Sequence, residues 1–141
     1  PINGATDPRS IPGSDQRYTL RVTNQGAGAV DANSIAVIDA IPANTRLRVL
    51  DAGAPGSGPV EFVDGSPAST LGYTFTALGS NTDSLDFSND GGTTWTYVPV
   101  ADADGFDAAV THIRVRPTGT MAGSSVAGNP SFELRLRVRV N

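Results

Sequence analysis

Residues 132–140, Phe132-Glu133-Leu134-Arg135-Leu136-Arg137-Val138-Arg139-Val140, alternate apolar and charged side chains without interruption. Successive side chains of a β-strand point to opposite faces, so this period of two predicts a strand with one buried and one exposed face. Each apolar side chain that becomes fully buried contributes about 1.5–3 kcal/mol. We therefore expect this strand to be central to the stability of the fold.

Shorter runs with strand-like composition precede it, and Gly- and Pro-rich segments separate them. The chain has 141 residues, which is the size of one domain, with 16 Gly and 10 Pro. Frequent Gly and Pro residues between strand-like runs are typical of β-sandwiches, and they disfavour long helices. The sequence predicts an all-β fold, an immunoglobulin-like β-sandwich with Greek-key character. The predicted strands are 17–24, 34–41, 45–50, 60–63, 71–76, 85–88, 94–98, 111–116 and 132–140.

The first residues differ in composition from the remainder of the chain. Residues 1–16 are rich in Pro and polar side chains, and Ile2 and Ile11 are their only large apolar residues. This pattern predicts an extended N-terminal arm, followed by a single β-sandwich domain over 17–141. The chain begins at Pro1 without a Met, which fits a processed mature product or a fragment, and both alternatives stay open.

Composition excludes several kinds of chemistry. The net charge of −4 disfavours general binding to nucleic acid or to anionic membranes. All ten basic residues are Arg, so a Lys–Asn isopeptide crosslink is excluded, and the absence of Cys excludes disulfides and thiolate sites. No apolar run approaches the ~20 residues that a membrane-spanning helix needs.

Residues 88–95 read as a tight turn between two short strands. Asp90-Gly91-Gly92 supplies glycines that can adopt positive φ, and the Asp90 carboxylate can accept hydrogen bonds from the turn. We expect a β-hairpin over residues 84–98 with Trp95 largely buried. The spacing resembles the Asp-box of sialidases and other secreted proteins, which implies a structural hairpin, β-structure and secretion. The residues that carry this resemblance are Ser88, Asp90, Gly92, Thr94 and Trp95.

A second resemblance covers residues 12–50. Pro12-Gly13, the run 18–26 and the run 37–45 are similar to the PG…YTxxVTNxG…D.xP pattern of a bacterial and archaeal surface-repeat family, domain of unknown function 11. This resemblance implies an immunoglobulin-like sandwich on extracellular or cell-surface proteins. The long segment 51–130 departs from a minimal member of that family, and the resemblance identifies no ligand.

Catalytic side chains are scarce. His112 is the only histidine, and its alternation with Arg114 and Arg116 places it on a solvated strand face. Glu61 and Glu133 are the only glutamates, and Glu133 faces outward on an Arg-rich strand. A Ser-His-Asp triad or a pair of catalytic acids therefore has no support, and we predict that the protein is not an enzyme.

Residues 101–107 give one candidate metal site. Asp102, Asp104 and Asp107 surround Gly105, and closely spaced carboxylates can wrap a hard cation such as Ca²⁺. The alternative is a turn in which each Asp accepts hydrogen bonds from its own backbone. The sequence predicts no other cofactor.

The charged face of the last predicted strand is a candidate assembly surface. Arg135, Arg137 and Arg139 share one face, and arginines occupy the outward faces of other predicted strands. Like charges on adjacent strands repel each other, so these side chains need carboxylate partners. Those partners belong either to the same chain, which gives a solvated face, or to another subunit, which gives a charged seam. With Ile2 and Ile11, these arginines are the predicted assembly residues.

Together these observations predict a structural subunit of an extracellular filament or prokaryotic cell-surface fibre. The subunits would join non-covalently, head to tail, through the N-terminal arm or a β-strand, so the main partner is another copy of the chain. The alternative is a stalk or ligand-binding module of a bacterial surface adhesin, with a surface glycan or a protein as its ligand.

Overall fold

The computed structural model describes residues 11–141, which form an all-β sandwich of two antiparallel sheets and contain no helix. No segment of this part of the chain is therefore an apolar helix of membrane-spanning length. The strands are β1 Asp15–Thr23, β2 Val37–Ala40, β3 Thr45–Arg48, β4 Glu61–Asp64, β5 Leu85–Ser88, β6 Phe106–Asp107, β7 His112–Val115 and β8 Ser131–Val140.

The last strand, β8, is the centre of the larger sheet. On one side it pairs with β1 from Ser131 to Arg139. On its other side, β3 pairs with the C-terminal end of β8 and β4 pairs with its N-terminal half. A short strand, β6, extends the sheet beyond β3. Because β8 has neighbours on both sides and buried side chains on one face, it joins most of the sheet together.

The smaller sheet has the order β2-β7-β5. Its inward side chains, including Phe87 and Ile113, meet those of β8 in one continuous core. The inward side chains of β8 are Phe132, Leu134, Leu136 and Val138, and each is at most 1% exposed. The alternation in residues 132–140 therefore predicted the buried face of this strand correctly, except that Val140 is half-buried.

Two of the predicted strands are absent. Residues 94–98 are not in a strand, and Trp95 lies over Arg114 of the central strand β7. The hairpin partner expected for β5 is thus replaced by β7, which comes later in the chain. Residues 71–76 form only an isolated bridge, from Gly72 to Thr118.

The boundary of the predicted N-terminal arm also differs. Residues 11–14 form a tight turn in which Gly13 has a φ of 80°. The N–H of Gly13 donates to Val140, and Ser14 accepts from the N–H of Val140. Strand β1 then begins at Asp15, so residues 11–16 belong to the domain. Residues 1–10, which include Ile2, lie outside the described residues.

Candidate functional site

The turn that follows β5 is organised by the Asp90 carboxylate. Its Oδ1 accepts from the N–H groups of Thr93 and Thr94, at 3.1 and 2.9 Å, and from the Ser88 hydroxyl at 2.7 Å. The Thr94 hydroxyl donates to Oδ2 at 2.7 Å. The Thr94 N–H and then the Ser88 and Thr94 hydroxyls are the main causes that lower the pKa of Asp90 to about 2. Asp90 therefore caps the turn that it begins.

Beside this turn lies an ion-pair cluster centred on Asp86. Asp86 is 3% exposed and accepts from Nε of Arg114 at 3.0 Å and Nε of Arg116 at 2.8 Å. The Arg114 guanidinium also lies over the Trp95 ring, 4.8 Å from its centroid. Trp95 is half-buried. The ring and the carboxylate thus both contact one guanidinium, which fixes the segment after the turn onto the sheet.

The three carboxylates of the candidate calcium site have separate partners. Asp102 accepts from the N–H groups of Asp104 and Phe106 and forms an ion pair with Arg46. Asp104 forms an ion pair with Arg139. Asp107 accepts from the Tyr97 hydroxyl, the Val100 N–H and the Ala109 N–H. Residues 11–141 contain no group of three or more potential metal ligands, and the calcium site stays a prediction.

The outward face of the larger sheet carries the arginines of the predicted assembly surface. Arg139 donates to Asp15 at 2.6 Å, and its guanidinium lies 4.3 Å from the centroid of the Phe106 ring. Arg135 donates to Glu133 at 2.8 Å. Phe106 is 1% exposed although it lies outside the main core, because Arg46 also covers it. These arginines thus have partners within the chain.

Arg137 differs from its two neighbours on β8. It is exposed, it pairs directly with Arg17 of β1, and Arg48 of β3 lies on its other side. In the described part of the chain no carboxylate forms an ion pair with these three arginines, which we call the arginine row. Sequence reasoning singled out Arg137 but could not find the row, because the register of three strands creates it.

Strand β1 is the other feature of the larger sheet with a bearing on assembly. Of the described residues, only β8 pairs with it. The N–H of Asn24 donates to Pro130, and the N–H of Val140 donates to Ser14. The even-numbered residues of β1 are therefore the ones whose main-chain groups bond to β8. Since bonding alternates along an antiparallel pair, the N–H and C=O of Arg17, Thr19 and Arg21 point to the free edge. Ile11, directly before this strand, is 44% exposed.

A shallow cavity lies beside β4. Its volume is about 260 Å³, and Glu61, Phe62, Tyr73 and Phe75 line it. Phe62 stacks on Tyr73 with 5.7 Å between ring centroids and on Phe132 with 5.1 Å. Burial is the main cause that raises the pKa of Tyr73, and its hydroxyl has no hydrogen-bond partner in the described structure.

His112 is half-buried instead of fully solvated. Its Nδ1 is buried and lacks a hydrogen-bond partner among residues 11–141. Its ring lies beside the Gly92 turn, where an added Cβ would be 3.7 Å away. Ser88 pairs with His112 across β5 and β7, but its hydroxyl donates to Asp90. His112 therefore forms part of the packing of the turn.

Comparison with known proteins adds no assignment, because no protein-family model, curated protein or solved structure matches this chain. The resemblances to the Asp-box and to the surface-repeat family stay predictions. The geometry of the described residues is therefore the basis for the proposals that follow.

Proposed function

We propose that this chain is a structural subunit of an extracellular filament, which assembles by adding a strand to the free edge of β1. The observation that carries this proposal is the outer edge of β1, where Arg17, Thr19 and Arg21 direct their N–H and C=O groups away from β8 and no other described strand pairs with them. Exposed edge strands offer a row of N–H and C=O groups to another chain, and monomeric proteins usually block them. Neither a proline nor a bulge interrupts this edge.

The identity of the added strand follows from the position of the N-terminal segment. Residues 1–10 precede the turn at 11–14, which leads directly into β1. In the proposed filament, this segment of one subunit pairs with β1 of the next, which gives a head-to-tail contact that does not close. Main-chain hydrogen bonds dominate such pairing, so a donor with few apolar side chains is sufficient.

Two variants test this assembly. Deletion of residues 1–10 should leave a folded domain without filaments, since the turn at 11–14 and its bonds to Val140 are retained. Thr19→Pro removes an N–H that points to the free edge and leaves the β1–β8 ladder intact, because proline is tolerated at strand edges. Thr19→Val is the matched control, since it keeps the N–H.

Negative-stain electron microscopy gives the readout, and circular dichroism confirms folding. Filaments of normal length from both the deletion and Thr19→Pro would contradict the proposal. Loss of filaments with Thr19→Val as well would show that the side chain, and not the edge N–H, is required.

The second candidate function is a ligand-binding or stalk module of a surface adhesin. It is supported by the cavity beside β4, where Phe62, Tyr73 and Phe75 provide aromatic rings and Glu61 provides a carboxylate. Aromatic rings next to a polar group are a common arrangement for ligand recognition. Monodisperse particles that bind a glycan array, with binding lost in Phe75→Ala, would favour this candidate over the filament.

A further inference from the structure

The arginine row is unfavourable for the isolated domain. Arg17, Arg137 and Arg48 lie side by side on three adjacent strands, which are about 4.7–4.9 Å apart in a sheet. Like charges directly opposite each other destabilise a sheet. In addition, Nε of Arg48 is buried without an acceptor among the described residues. Proteins break such stability rules mainly at functional sites, so the arginine row is a candidate functional surface.

The rows directly on both sides of the arginine row carry ion pairs. Arg139 meets Asp15 and Asp104 on one side of the row, and Arg135 meets Glu133 on the other. Carboxylates therefore border the arginine row on both sides, and Arg21, further along β1, donates to the Ser131 hydroxyl. A wide anionic surface, such as a bilayer or a nucleic-acid duplex, would bring its own charges against these carboxylates.

The carboxylates of a second copy do not form a matching surface. Most of those in the described residues already have partners. Five form ion pairs with arginine, namely Asp15, Asp86, Asp102, Asp104 and Glu133. Five accept backbone N–H groups within turns and loops, namely Asp51, Asp64, Asp83, Asp90 and Asp107.

The remaining described carboxylates are scattered. Asp39 lies on the inward face of β2, since it pairs with buried Ile113. Glu61 lies on the same face as the row itself, opposite Arg135, and Asp31 lies in a loop. No described surface of another copy therefore places several free carboxylates in a line. The row needs a partner of a different kind.

We propose that the arginine row binds an acidic polysaccharide through its sulfate or carboxylate groups. The central strand β8 has its backbone paired on both sides, so a ligand on this face can be recognised only through side chains. This favours regularly spaced oxyanions over an extended peptide, which would bind a sheet edge with its backbone. Guanidinium groups suit this role because their planar fork donates two parallel hydrogen bonds to one oxyanion. The inference goes beyond filament formation and does not depend on it.

The test measures binding of dextran sulfate by isothermal titration calorimetry, with neutral dextran as the ligand control. Arg137→Gln should weaken binding on the order of tenfold, the loss expected for one charge-assisted contact. The matched control is Arg21→Gln, which makes the same change of charge on the same face but outside the row, and it should bind like the unmodified protein. Binding should also weaken as salt concentration rises.

Thermal melting without ligand gives an independent readout. Arg137→Gln should not lower the melting midpoint, because the repulsion from the neighbouring Arg17 and Arg48 that it relieves outweighs the attraction to Asp15 that it removes. A lowered midpoint would show that Arg137 stabilises the fold, and this would overturn the proposal. Equal binding by Arg137→Gln and the unmodified protein, or equal binding of neutral dextran, would also overturn it. Polyglutamate or duplex DNA that binds more tightly than dextran sulfate would refute the polysaccharide as the ligand class.

Discussion

Replacement of Asp86 by asparagine tests whether its ion-pair cluster stabilises the fold. The Asp86 side chain is 2% exposed, and both Arg114 and Arg116 contact it at less than 3 Å. Removing one partner of a buried ion pair typically costs about 3–5 kcal/mol, because the remaining charge is left buried. Here the arginine side chains are 27% and 39% exposed, so water can hydrate them after the substitution. We therefore expect Asp86→Asn to lower the free energy of unfolding by about 2–3 kcal/mol, at the lower end of that range.

Urea denaturation followed by tryptophan fluorescence measures this loss. Trp95 is the only tryptophan, and it lies over Arg114, so its emission reports directly on the cluster. Circular dichroism of the same samples shows whether the sheet unfolds together with it. The loss should persist at high salt, because a buried pair is screened much less than a surface pair.

Asp31→Asn is the matched control, because it makes the same change of charge at an exposed loop position. It should change the free energy of unfolding by no more than about 0.5 kcal/mol. A loss for Asp86→Asn that is no larger than this control, or that disappears at high salt, would refute the assignment of Asp86 as a stabilising buried ion pair.

The remaining predictions concern the Asp90 turn, calcium and the core. The folded-state pKa of Asp90 is about 2, below its ordinary 3.8, so its contribution to stability is present above about pH 4 and is lost as the pH falls through 2. The unfolding curves of Asp90→Asn and of the unmodified protein should therefore converge in acid. A constant difference between them from pH 2 to 7 would contradict this prediction. Calcium and chelator should give the same melting midpoint, because Asp102, Asp104 and Asp107 already have partners, and a higher midpoint with calcium would support the metal site. Leu134→Ala should lower the free energy of unfolding by about 2–5 kcal/mol, since this side chain is 0% exposed, and a loss below 1 kcal/mol in urea denaturation would argue against its place in the core.

The sequence predicted those parts of the fold that depend on local pattern. The alternation over 132–140 identifies β8 and its buried face, and residues 85–88 match β5. The runs 71–76 and 94–98 have equally strand-like composition, but neither becomes a strand. Composition shows that a segment could pair, but the packing of the rest of the chain decides whether it does. β5 pairs with β7, Trp95 packs over Arg114 of β7 with its side chain, and residues 94–98 stay outside the sheet.

The candidate sites show the same division. Asp90 and its partners lie within a few residues of each other, so the spacing in the sequence was enough to identify the turn. Asp86 and Arg114 are far apart in the sequence and meet only because β5 pairs with β7. The outward alternation of Asp86 and Arg114 was a usable signal, but assigning the pair required knowledge of the sheet order.

The position of β8 would allow one strand to serve both stability and the proposed recognition of a ligand. Its inward side chains are buried and its backbone is paired on both sides, so its place in the fold does not depend on its outward residues. Those outward positions can therefore carry charge, and Arg137 can remain unpaired without displacing the strand. The edge through which the proposed filament would assemble belongs to β1, one strand away, and no other described strand pairs with it. A filament that joined subunits through that edge would leave the outward face of β8 open, and would repeat the arginine row along its length. Many weak contacts to one acidic polysaccharide would then act together, so filaments should bind it far more tightly than single subunits do.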